Sequence, residues 1–162
     1  MDIQPKSAIV TAEPGSQLGV SEWVTITQAM INHFSLATLD DDPMHADPQW
    51  AAEKGPFGKT VSYGFLTMSL LTHLLHDVLG DGPAREPDRG GYFLNFGFNR
   101  MRLVTPVPVD SRVRGRFRLA ERSRDRAGRA RLGIGVEIEI EGEARPALAG
   151  VWLVVWVPPA NG

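Results

Sequence analysis

The chain has 162 residues, of which 43% are hydrophobic and 22% charged, and its formal net charge is -2. This is enough for one domain with a real core, and the charge balance gives no general reason to bind nucleic acid or a membrane surface. Cys is absent, which excludes disulfides, thiolate metal sites and cysteine nucleophiles.

Residues 1–20 mix Pro5, Pro14, Gly15 and Gly19 with small residues and read as an N-terminal arm with little regular structure, ahead of a single domain over 21–162. They contain no basic start followed by an apolar run, so no signal peptide is expected and a cytoplasmic location is. Trp23 to Ile26 predicts a short strand. Thr27 is a good N-cap for a helix from Gln28 to about Leu39, with Ala29, Met30, His33, Phe34 and Ala37 recurring at helical spacing. A loop follows over Asp40–Pro43. Asp47-Pro48 opens a helical turn containing Trp50, Ala51 and Ala52, which Gly55, Pro56 and Gly58 end.

Gly64 to Leu79 leaves almost no polar face, the pattern of a buried helix, and is too short to span a bilayer convincingly. Gly80-Asp81-Gly82-Pro83 stops it. Residues 80–91, rich in Gly, Pro and charge, read as a mobile connection. Strands fill the rest. Tyr92 to Val104 is the first. Val113, Phe117 and Leu119 alternate with Arg112, Arg114, Arg116 and Arg118 in the second. Asp125-Arg126-Ala127-Gly128 is a hairpin turn. Val136, Ile138 and Ile140 alternate with Glu137, Glu139 and Glu141. Val151 to Val157 is apolar on both faces, as in a central strand or a subunit contact. Helices early, antiparallel hairpins late and one long apolar helix between them imply an α+β fold, an antiparallel sheet wrapped around a buried helix.

Eleven of the 17 basic residues lie between Arg100 and Arg131. Two readings stand: a solvated strand face, with the Arg and Glu rows pairing across strands, or a cationic rim for a phosphate-bearing substrate or an acidic carrier protein.

The residues with most chemistry are Asp40 and His45, five apart in one polar loop. A carboxylate and an imidazole delivered together can bind and activate one water, which points to water addition to, or removal from, a polarised carbonyl compound. The plainer alternative is a loop acid and a capping or surface His. Asp40, Asp41, Asp42 and His45 could also serve as hard-metal ligands, but the run lacks the spaced-oxygen pattern of an EF-hand loop. His33, His73 and His76 fit packed or surface positions better than catalysis.

Four stretches carry a resemblance: Phe34-Ser35-Leu36-Ala37-Thr38-Leu39-Asp40-Asp41-Asp42-Pro43-Met44-His45-Ala46-Asp47-Pro48; Tyr63-Gly64-Phe65-Leu66-Thr67-Met68-Ser69-Leu70-Leu71; Asn95-Phe96-Gly97-Phe98-Asn99-Arg100-Met101-Arg102 with Pro106-Val107; and Glu141-Gly142-Glu143 with Arg145-Pro146-Ala147. In this order, over about residues 20–157, they resemble MaoC-like hydratases and dehydratases of the hot dog fold, in the subgroup related to the nodulation protein NodN. The resemblance implies hydration or dehydration of 2-enoyl thioesters carried on coenzyme A or an acyl carrier protein. It implies no metal or redox cofactor, and a homodimer with the pantetheine tunnel between its halves.

By the same resemblance Asp40 and His45 match the catalytic pair, and Gly64 matches the residue whose backbone N–H binds the thioester oxygen. Thr72 falls near a hydroxyl that steadies the catalytic Asp, and it joins Tyr63 as a substrate-binding position. Three residues depart from the family pattern. Leu39 stands where Gly precedes the catalytic Asp, so the loop is expected to run differently. Asp42 replaces Asn or Gln, and Tyr63 replaces the His before the glycine. Competing readings are a hot dog acyl-CoA thioesterase, a polyketide-tailoring dehydratase, and an acyl-thioester binding protein without turnover.

Overall fold

Helix α5 (Gly64–Val78) lies against a six-stranded antiparallel sheet, and the contact between them is the core. The computed structural model describes residues 6–80 and 91–158, so nearly all of the connection expected over 80–91 lies outside the described residues. Ahead of α5 come α1 (Lys6–Thr11), β1 (Gln17–Val20), β2 (Val24–Thr25), α2 (Gln28–Thr38), α3 (Pro43–Ala46) and α4 (Pro48–Glu53). After it come β3 (Tyr92–Leu103), β4 (Arg112–Arg124), β5 (Ala130–Ile140) and β6 (Leu148–Val157). The sheet order is β1-β4-β5-β6-β3, with β2 also paired to β4. This is the hot dog arrangement anticipated from the sequence.

The core face follows from strand periodicity. Val113, Phe117 and Leu119 of β4 and Ile134, Val136 and Ile138 of β5 point inward and meet Leu71, Leu74 and Leu75 of α5. Burying each of those three leucines contributes about 2 kcal/mol. Close approach of helix to sheet requires Gly115. A Cβ there would sit 2.5 Å from the Phe117 ring and 3.1 Å from Leu74 Cβ.

The outward face of the same strands is ionic. Arg114 Nε donates to Glu139 at 2.6 Å, Arg116 Nη2 donates to Glu139 at 2.9 Å, and Arg112 Nη1 donates to Glu141 at 2.8 Å. Partial burial pushes the Glu139 carboxyl upward, but hydrogen bonds from both guanidiniums outweigh it and hold the group below the ordinary carboxylate range. Much of the Arg row is therefore paired within the sheet, as the strand-face reading expects.

Several expectations need correction. Residues 6–20, the described part of the arm expected to hold little regular structure, contain a short helix and a short strand. Helix α1 buries Ile9, β1 buries Leu18, and the Gly15 N–H donates to the Leu119 carbonyl at 2.7 Å. Pro14 and Gly15 mark the turn between α1 and β1, whereas Gly19 lies within β1, which pairs with β4.

The inward stripe of α2 is Ile31 and Ser35, flanked by half-buried Met30 and Phe34, whereas Ala29, His33 and Ala37 are exposed. Those three lie on the opposite side of the 3.6-residue turn. Helix α5 is not enclosed all round. Leu66, Thr67, Leu71, Leu74 and Leu75 are buried, but Phe65 is 71% exposed, and Ser69 and His73 share its outer stripe. One sheet covers one side of a helix.

Among the described residues strand β3 stands at the sheet edge, bonded to β6 alone, with Leu94, Phe96, Phe98 and Leu103 exposed. Among the described residues no helix is long and apolar enough to cross a membrane.

Candidate active site

The acid–imidazole loop begins where α2 ends. Thr27 caps the start of the helix, its Oγ1 accepting from the Met30 N–H at 3.2 Å. At the other end Leu39 takes φ 59° and ψ 27°, and its N–H returns to the Ser35 carbonyl. This is the left-handed turn that a glycine makes without strain. The chain therefore makes this turn with Leu, a residue that disfavours it.

A non-glycine residue in that region costs about 1–2 kcal/mol, and Leu39, 91% exposed, recovers little by packing. Leu39→Gly is expected to stabilise the protein by about 0.5–1 kcal/mol, after the added flexibility of Gly in the unfolded chain is subtracted. A rise of a few degrees in thermal midpoint checks this. A fall would show that the Leu side chain is held by contacts outside the isolated chain.

Beyond the turn, Asp42 Oδ1 accepts from the Met44 N–H at 2.9 Å and caps the short helix α3, with Pro43 at its first position. His45 sits in the last turn of α3 rather than in open loop. Its carbonyl accepts from Gln28 Nε2 at 2.9 Å, and Gln28 Oε1 in turn accepts from buried Thr60 Oγ1 at 2.5 Å.

The imidazole Nδ1 lies 2.7 Å from the Val61 carbonyl oxygen. A carbonyl only accepts, so Nδ1 carries a proton, and in the neutral ring the lone pair is on Nε2. The ring packs against Tyr63 with centroids 4.0 Å apart and planes tilted by 35°. The side chain is half-buried.

Gly64 opens α5 immediately after Tyr63, and no side chain caps that end. The first N–H groups of a helix have no partners within it and carry the positive end of its dipole. A Cβ on Gly64 would run into Leu103 Cδ1.

His45 and Gly64 open into the same cavity of about 350 Å³, whose wall includes Met44, Phe57, Val61, Leu103 and Val107, with Ser62, Thr67 and Thr105 as its hydroxyl-bearing members. The site thus brings an imidazole with a defined proton position and a helix N-terminus to one mostly apolar hollow. A larger hollow of about 730 Å³, lined by Arg122, Arg124 and Arg129 of the basic row, contains none of the catalytic or substrate-binding residues expected from the sequence. Its guanidiniums are already engaged by the Val10, Ala12 and Gly128 carbonyls and by Asp125.

The other predicted positions lie as follows. Asp40 is exposed, is not part of the cavity wall, and accepts from the Asp42 N–H at 3.3 Å through Oδ1. Its backbone reaches the site through Tyr63, whose Oη donates to the Asp40 carbonyl at 2.6 Å. Tyr63 is itself 4% exposed and absent from the cavity wall. Thr72 is half-buried, two turns further along α5, and also outside that wall. Thr67, one turn from Gly64, stands there instead. His33 and His73 are exposed and His76 half-buried, and none lines the cavity. Among the described residues no group of three or more His, Asp or Glu side chains is placed to hold a metal ion.

Sequence reasoning missed Ser35, Gln28 and Val61. Ser35 had a signal, a polar residue four after Ile31 on the inward side of α2. Val61 acts through its carbonyl, for which the side chain gives no sign.

Known proteins agree with this architecture. The chain is 41% identical to nodulation protein N of Rhizobium meliloti (strain 1021) over 146 residues, covering 90% of this chain and 88% of that protein. It is 42% identical over 107 residues to 3-hydroxyacyl-thioester dehydratase Z of Mycobacterium tuberculosis (strain CDC 1551 / Oshkosh), covering 66% of each. The solved (R)-hydratase from A. caviae involved in PHA biosynthesis superposes with a TM-score of 0.69 at 21% identity, covering 89% of this chain and 96% of that one, a likeness of fold. The family model described as MaoC like domain matches residues 10–139. The chain belongs to the MaoC-like dehydratase family.

Proposed function

We propose that this protein is a hydro-lyase that adds water to 2-enoyl thioesters, or removes it from 3-hydroxyacyl thioesters, carried on coenzyme A or an acyl carrier protein. One observation carries the reading: the His45 imidazole and the Gly64 helix start face a single apolar cavity, with Nδ1 committed to the Val61 carbonyl. The name of the dehydratase relative agrees with it.

In hydration, His45 Nε2 takes a proton from water as the oxygen attacks the β-carbon. Asp40, exposed and outside the cavity wall, reaches the same water by turning its side chain inward, and then shares in delivering a proton to the α-carbon. Negative charge building on the thioester oxygen is met by the Gly64 N–H and the dipole of α5. Dehydration uses the same groups in reverse. Tyr63 and Thr72 remain candidates for shaping the substrate site. The reaction as written requires no metal or redox cofactor, and the coenzyme A or pantetheine arm is the substrate's carrier.

A second copy of the chain is the partner this surface fits. The open edge of β3 exposes Leu94, Phe96 and Phe98, Leu39 precedes Asp40 at the surface, and exposed Phe65 follows Gly64. An unpaired strand edge with exposed apolar side chains favours covering by another chain.

A panel of 2-enoyl-CoA chain lengths tests the reaction. The expected result is loss of the conjugated-thioester absorbance and formation of a 3-hydroxyacyl product. Free thiol released from saturated acyl-CoA would instead support a thioesterase, and binding without conversion in either direction would support a carrier role.

A further inference from the structure

The Asp40 carbonyl oxygen accepts two short hydrogen bonds, from Ser35 Oγ at 2.6 Å and from Tyr63 Oη at 2.6 Å. Both donors are buried, Ser35 at 8% exposed and Tyr63 at 4%, while the Asp40 side chain is exposed. Ser35 belongs to α2, before the turn, and Tyr63 precedes α5, so two separate segments clamp one atom. The clamp lies one residue beyond Leu39, whose left-handed backbone is a strained conformation for Leu and needs external contacts to persist. Tyr63 also lays its ring against His45 and is bonded in sequence to Gly64.

We infer that Ser35 and Tyr63 are positioning residues that hold Asp40 in register with His45. The inference rests on the enoyl-thioester reading and deepens it, because it assigns Tyr63 to the geometry of the acid rather than to contact with substrate. A serine inside a helix is a poor choice for stability, and an aliphatic residue would fill the same inward position. Its hydroxyl is explained by the carbonyl it meets. The two bonds occupy both lone pairs of one oxygen, so each restrains the direction the other leaves free. Removing one leaves the turn partly aimed, and removing both releases it.

The test is steady-state hydration of crotonyl-CoA by wild type, Tyr63→Phe, Ser35→Ala and the double variant, with thermal midpoints measured alongside. Tyr63→Phe keeps the ring on His45 and deletes only the hydroxyl. Each single variant is expected to lose about tenfold in kcat with KM within about twofold, because a misaimed catalytic group affects the chemical step more than binding. The double variant is expected to lose more than the product of the two single losses, since both donors serve one atom. Placed in an Asp40→Asn background, Tyr63→Phe is expected to lower residual turnover no further.

Single variants with wild-type kcat, or with losses confined to KM, would overturn the assignment. So would a loss in Tyr63→Phe that persists undiminished without the Asp40 carboxylate. If the wild type hydrates no enoyl thioester, the functional proposal fails by itself. In that case the clamp is judged by the thermal midpoints and by proteolysis at the Leu39–Asp42 turn. Unchanged midpoints and cleavage in the double variant would show that the hydroxyls do not hold the turn.

Discussion

Asp40→Asn and His45→Ala are each expected to lower kcat/KM for crotonyl-CoA hydration by about 10³-fold, with the protein still folded. The size follows from what each change removes. Without the imidazole no group in the cavity wall accepts a proton near neutrality, since the remaining side chains there are apolar or hydroxyl-bearing. Asp40→Asn keeps the shape and the oxygen that accepts from the Asp42 N–H, but loses the charge and the capacity to carry a proton.

Neither change should unfold the chain. Asp40 is exposed, and its clamp acts on the backbone carbonyl, which Asn retains. His45→Ala gives up the Val61 bond and the packing of a half-buried ring on Tyr63, a member of the core, but leaves the α5 leucines and their sheet partners in place. Circular dichroism and thermal midpoints close to wild type, with activity gone, are the expected pair of results. Activity near wild type in both variants would remove these residues from the chemistry.

Gly64→Ala is expected to lower kcat/KM by about 10²-fold with little change in stability. The backbone at Gly64 does not take a positive φ, so the absent side chain is not required by the turn. It is required by space. A Cβ would meet Leu103 Cδ1, the far end of a side chain 54% exposed and able to move aside. The fold can therefore absorb the methyl group, and Ala is the better helix former. The cavity cannot absorb it equally well, because the added group enters at the N–H that the thioester oxygen must approach. A large fall in kcat with an unchanged midpoint would agree with this. A variant as active as wild type would place the substrate oxygen elsewhere.

An antiparallel sheet against a long helix was legible because its periodicities are strong, and the hot dog fold by resemblance. Val113, Phe117 and Leu119 alternate with arginines along β4, and Thr27 announces the start of α2. Asp40 and His45 stood out by residue type and spacing, and Gly64 by resemblance. The bonds between elements were not legible. Nothing local reveals that Ser35 and Tyr63, 28 positions apart in sequence, meet on the carbonyl of Asp40. Nor does residue type reveal that Val61, an ordinary apolar residue, orients the imidazole through its main chain. The elements within residues 6–20 were missed for the same reason: Ile9 and Leu18 join a core whose other members come from α5 and from strands far along the chain.

Amino-acid order alone determined the longer elements, though not α1, β1 or α3, because side-chain periodicity and turn chemistry act over a few residues. It also determined which groups could do acid–base chemistry, because that depends on residue type. Tertiary structure alone decided which ring nitrogen of His45 holds its proton, which residues border the cavity, and that Leu39 endures a left-handed turn. Those outcomes depend on carbonyls and hydroxyls brought together from distant segments, and hydrogen bonds of 2.6–2.7 Å form only after the sheet and α5 have closed around them.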